Sequence, residues 1–264
     1  MSDSYGQRDS TLLSQLFNKV PDVTLAFWVI KIMSTTVGET GADFLAVNAG
    51  LGQGITRVVM GAFLTIALIL QLRARRYIPW IYWLTVVLVS VVGTQITDAL
   101  TDGLGVSLYL STAVFAAGLA IIFALWYRLE GTLSIRAIDT RRRELFYWAA
   151  VLCTFALGTA AGDLASEALG LGFKWGAVIF GAIILVTLIA WRMGLSAVLA
   201  FWIAYILTRP FGASLGDLLT QENTYGGLGL GAMWTSAIFL TVIAVLVAIA
   251  QVDSGRVRTL AGGK

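Results

Sequence analysis

The residues of this chain with the right types and spacing for chemistry are carboxylates. Glu39, Asp43, Asp98, Asp102, Asp163, Glu167, Asp217 and Glu222 account for eight of the 15 acidic residues, and all follow the glycines of a repeated pattern. His is absent and the single Cys is Cys153. This excludes Ser-His-Asp and Cys-His catalysis, His-ligated metals, thiolate clusters and an intramolecular disulfide. A metal site must therefore be built from oxygen, and a proton relay from carboxylates. Such donors suit Mn²⁺, Mg²⁺ or Ca²⁺. The expected ligands are Glu39, Asp43, Asp98, Asp163 and Asp217, with Thr36, Thr40, Thr94, Gln95, Thr159 and Ser214 as neutral oxygens. Lys31 and Arg209 lie in apolar stretches and are the expected internal cations, holding the site once the ion leaves.

The elements that position these groups are repeated. Trp28, Gly38 and Asp43 have the spacing W-x9-G-x4-D, as do Trp83, Gly93 and Asp98, then Trp148, Gly158 and Asp163, then Trp202, Gly212 and Asp217. An aromatic residue precedes each Trp: Phe27, Tyr82, Tyr147 and Phe201. The motif glycines are 55, 65 and 54 residues apart, enough for two helices per repeat. An even number of crossings makes the four copies parallel. From Trp to Asp is roughly 22 Å of helix, which places the four Asp near one depth at helix C-termini, where their charge needs a positive partner. The Trp and Gly alone fit a packing motif, with Trp as a belt residue and Gly as a close helix contact. Pro210 inside the seventh helix predicts a kink or break beside the acids.

Of the 264 residues, 58% are hydrophobic and 12% are charged. An ordinary soluble domain carries roughly 25% charged residues, so composition points to transmembrane helices. Eight are expected, at 22–46, 53–74, 78–101, 106–128, 142–168, 173–192, 195–219 and 228–251. The fold class is thus all-α: a polytopic membrane bundle of four parallel two-helix repeats. It divides into an N-terminal segment 1–20, a first membrane half 21–128, a linker 129–141, a second half 142–251 and a tail 252–264. Leu12, Leu13, Leu16, Phe17 and Val20 predict a short surface helix. Fourteen of the 18 basic residues fall on one side, which should be cytoplasmic and hold both termini. Arg57 and Lys174 lie near the other ends and should snorkel.

The stretches K-I-M-S-T-T-V-G-E-T-G-A-D (31–43), D-T-R-R-R-E-L-F-Y-W (139–148), F-A-L-G-T-A-A-G-D-L-A-S-E (155–167) and L-T-R-P-F-G-A-S-L-G-D-L-L (207–219) resemble a family of bacterial integral membrane proteins catalogued as uncharacterised membrane-anchored proteins. The resemblance spans about 19–251 and implies a bacterial inner membrane. The expected function is secondary transport or export of a cation, most readily a divalent metal. A channel or small-solute carrier, and a non-transport scaffold or sensor subunit, are the alternatives. No enzyme activity or cofactor is expected, the metal being substrate. The expected partners are the lipid bilayer and the cation, not nucleic acid, and a homo-oligomer is left open.

Overall fold

The computed structural model describes residues 18–43 and 52–262, with side chains over 18–41 and 52–255. The residues predicted to form the surface helix lie largely outside this range. Among the described residues eight long helices form: α1 (Leu25–Asp43), α2 (Gly52–Arg73), α3 (Pro79–Asp98), α4 (Leu108–Glu130), α5 (Arg141–Asp163), α6 (Gly172–Arg192), α7 (Ala197–Thr220) and α8 (Ala232–Gly262). No strand is present among the described residues.

Local chemistry sets the helix ends. Pro79 opens α3 after an extended Ile78, where its missing N–H costs nothing. The Ser107 hydroxyl accepts from Leu110 N at 3.3 Å and caps α4, which ends on Gly131 at φ 67°. Thr140 caps α5 in the same way through Arg143 N. Two ends depart from the sequence expectation. The last helix starts at Ala232, because Gly229 and Gly231 adopt left-handed φ, and it continues past 251 to Gly262.

Seven of the helices are long and apolar enough to cross a membrane. The protein is a polytopic all-α membrane bundle of four parallel two-helix repeats. α1 is the exception by composition, carrying Lys31, Glu39, Asp43 and a run of threonines. It has no need of an apolar surface, because Lys31, Ser34, Thr35, Thr36 and Thr40 are all buried against other helices.

Odd and even helices form two layers. The odd helices pack in a closed ring, α1 on α3, α3 on α5, α5 on α7 and α7 back on α1. The even helices lie outside. Each packs along the inner helix of the next repeat: α2 on α3, α4 on α5, α6 on α7 and α8 on α1. In the apolar windows of the even helices 11–22% of residues are buried, against 56–72% in α3, α5 and α7. A soluble protein would not leave Ile55, Val58, Phe63, Val114, Val186 and Ile238 exposed together on such faces, whereas lipid covers them without cost.

The motif glycines make the ring possible. A Cβ on Gly93 would stand 2.6 Å from Phe155 Cβ, and one on Gly38, Gly158 or Gly212 would overlap Ser90, Arg209 or Thr35. Ser90, Phe155, Arg209 and Thr35 each stand three residues before the motif glycine of their own repeat. Every glycine therefore receives the same position of the next repeat, and the fourth receives that of the first. The aromatic residues repeat this cycle toward the Arg-rich end. Phe27 meets Trp83, Tyr82 meets Trp148, Tyr147 meets Trp202 and Phe201 meets Trp28, with ring centroids 5.5, 5.5, 6.2 and 5.7 Å apart. The tryptophans are thus ring-packing residues and not a lipid belt, Trp83, Trp148 and Trp202 being at most 4% exposed.

Candidate functional site

The centre of the ring is polar. Arg209, on α7 three residues before Gly212, is completely buried and points across the axis. Its Nη2 donates to Glu39 Oε2 at 2.7 Å, to Thr159 Oγ1 at 2.7 Å and to Thr94 Oγ1, while Nη1 donates to the Thr35 carbonyl at 3.2 Å. Glu39, Thr94 and Thr159 each directly follow the motif glycine of their repeat. Ala213 holds that position in the fourth repeat. Three repeats thus contribute oxygens at one level, and the fourth contributes the cation. The close approach at each glycine lets these short side chains meet.

Lys31 lies on the same axis toward the aromatic layer and is 1% exposed. Its Nζ stands 4.1 Å from the Phe155 ring centroid and 4.4 Å from that of Tyr205, and no hydrogen-bond acceptor reaches it among the described residues. The ring faces supply part of the electrostatic compensation that water would give. Beyond Lys31 the aromatic layer is closed, with Tyr82 Oη and Tyr147 Oη 2.5 Å apart.

On the other side of Arg209, one further turn brings the motif acids. Asp98, Asp163 and Asp217 are half-buried, and Asp163 is within electrostatic range of Glu39, Asp98, Asp217 and Glu167. Asp98 and Asp163 are followed at once by single π-helical turns, Ala99–Gly103 and Leu164–Ala168. Such turns interrupt the i→i−4 ladder and are common at functional sites. The break expected at Pro210 is not there: α7 runs through it, and Pro210 packs near Gly162 of α5. Asp102, Glu167 and Glu222 are exposed beyond the ring.

The structure thus gathers Glu39, Arg209, Thr94 and Thr159 tightly, with Lys31 alongside and Asp98, Asp163 and Asp217 beyond. The Asp43 side chain lies outside the described residues. The remaining neutral oxygens point elsewhere. Thr36 Oγ1 donates to the Gly212 carbonyl at 2.9 Å, Thr40 pairs with Ser236 of α8 at 2.6 Å, and Ser214 packs toward Gly176 of α6. Gln95 Oε1 is buried with no hydrogen-bond partner among the described residues. Among the described residues no three Asp or Glu side chains converge closely enough to hold one metal ion. Arg57 is only partly exposed and bonds Gln53, and Lys174 is exposed.

A second buried ion pair went unmarked in the sequence. Lys19 Nζ and Glu144 Oε2 are 2.6 Å apart at the Arg-rich end, and Gln71 Nε2 donates to Glu144 Oε1 at 3.2 Å. Lys19 N also donates to the Ile138 carbonyl, and Trp202 Nε1 to the Leu133 carbonyl, so the linker is packed onto the bundle. Glu144 is the lone acid after three arginines and precedes Tyr147 and Trp148 by one helical turn. That position on the buried face was the available signal.

The family model described as Repeat of Unknown Function (DUF347) matches the chain four times, at residues 26–77, 81–132, 146–193 and 200–253. No curated protein and no solved structure matches the chain.

Proposed function

The chain belongs to the DUF347 repeat family, and on the geometry of its axis we propose that it is a secondary transporter of a small cation. The observation that carries this reading is the Arg209–Glu39 pair, enclosed where three repeats present oxygens to one point. A buried charge is costly unless paired, and a membrane interior raises that cost. A buried pair can also serve as a structural lock, as Lys19–Glu144 does; the Arg209–Glu39 pair differs in standing on the axis, where three repeats supply its oxygens. Here Arg209 acts as an internal cation that neutralises Glu39 while the site is closed. An incoming cation, collected by Asp98, Asp163 and Asp217, displaces it.

The carboxylates also give a route for proton coupling. The divalent-metal form of this reading requires either Asp43 or a rearrangement that frees Glu39 from Arg209. In the same reading the Arg-rich end faces the cytoplasm of a bacterial inner membrane, with both termini inside. Uptake into proteoliposomes across a panel of monovalent and divalent cations, with and without an imposed proton gradient, tests the proposal. Wild-type protein should move at least one cation and Glu39→Gln should not. Equal rates from both proteins, or flux from neither, would contradict it.

A further inference from the structure

We infer that the axial cage is a binding site for a guanidinium-type monovalent cation, whose position Arg209 occupies in the closed state. The inference rests on the reading of the axis as a cation site, and adds the chemical class of what binds there.

Four features of the cage carry it. The first is the charge balance. One carboxylate, Glu39, faces the cation, with two hydroxyls and a backbone carbonyl as the other oxygens. One negative charge balances one positive charge, whereas divalent metals are held by several carboxylates or by a full oxygen shell. The second is the orientation of the hydroxyls. Thr94 Oγ1 donates to the Ser90 carbonyl at 3.2 Å, and Thr159 Oγ1 to the Phe155 carbonyl at 3.1 Å. The Thr159 hydrogen is thus directed along its own helix, and the Thr94 hydrogen has a second acceptor in Glu39 Oε2 at 3.4 Å; with either acceptor the lone pairs are left to accept N–H groups at the axis.

The third feature is the aromatic wall. The Phe155 ring faces Lys31 Nζ at 4.1 Å and Arg209 Cζ at 5.8 Å. An aromatic face attracts nitrogen cations and offers a metal ion no ligand. The fourth is the origin of the occupant. The side-chain oxygens come from one motif position in three repeats, while the guanidinium comes from a different position in the fourth. The cage is thus a product of the repeated ring, and Arg209 is a resident cation inside it.

Removing the resident should expose the site. Arg209→Ala protein in nanodiscs is expected to melt below wild type and to recover, saturably, in millimolar methylguanidinium. Methylguanidinium should bind at least ~10-fold more tightly than Na⁺ or Mn²⁺ by calorimetry. Preference for Na⁺ or Mn²⁺ would overturn the chemical class and leave the cation-site reading standing. Binding of no cation would overturn both.

Should Arg209→Ala fail to fold, labelled guanidinium uptake by wild-type proteoliposomes decides the matter. Uptake that excess Mn²⁺ does not inhibit supports the inference. Mn²⁺ uptake that excess guanidinium does not inhibit, or uptake of neither ion, overturns it.

Discussion

Among the described residues, two buried ion pairs have opposite surroundings. Lys19–Glu144 sits off the axis at the Arg-rich end, joins three parts of the chain that the repeats do not relate, and takes its extra hydrogen bond from Gln71. Arg209–Glu39 sits on the axis, and its extra side-chain bonds come from equivalent positions of two further repeats. Both pairs are short and enclosed, so burial does not separate them. Their relation to the pseudo-fourfold ring does. The first pair is a lock between segments. The second is placed where every repeat can act on it, with carboxylates on one side and a closed aromatic layer on the other.

Single breaks should be costly in both places. Glu144→Ala strands Lys19 and Glu39→Ala strands Arg209, and each should lose about 3–5 kcal/mol in denaturant unfolding. A loss confined to one site would show that the two pairs are not equally desolvated. A smaller effect separates the inner ring from the outer layer. Gly158→Ala drives a methyl into Arg209 and Pro210 and should cost about 1–3 kcal/mol. Gly61→Ala on α2 meets nothing within 4 Å and should be neutral, or stabilising by up to about 1 kcal/mol through helix propensity. Equal melting shifts would contradict the close-packed ring. The smallest effect is expected at Thr94→Val, which removes one of the acceptors on Arg209 Nη2 and should cost about 1 kcal/mol, with a measurable fall in flux. The matching change at Thr187, whose hydroxyl bonds only its own helix, should leave flux unchanged.

Much of this architecture is legible in the residues. The W-x9-G-x4-D spacing fixes the number of repeats and their parallel sense, because two crossings restore direction. It also marks the inner helices, since each motif glycine admits a neighbouring helix. The pairing of Glu39 with Arg209 is not legible, because periodicity along one helix says nothing about which helix lies across the axis. The closed cycle resolves that: once the fourth repeat packs on the first, residues 170 apart become neighbours. The expected oxygens of α1 divide for the same reason. Thr36, Glu39 and Thr40 turn to α7, to the axis and to α8. The break expected at Pro210 is absent because the helix tolerates one missing bond when its neighbours pack tightly. The real interruptions follow Asp98 and Asp163, where no residue type announces a π turn.

The most direct test applies one operation to both pairs. Replacing a buried ion pair by apolar side chains of similar volume often leaves a protein as stable as before, or more so. Lys19→Met/Glu144→Leu and Glu39→Leu/Arg209→Met should therefore both fold. Cation flux measured side by side in proteoliposomes should persist in the first and vanish in the second. Flux retained in the axial double variant would contradict the assignment of the axis as the cation site.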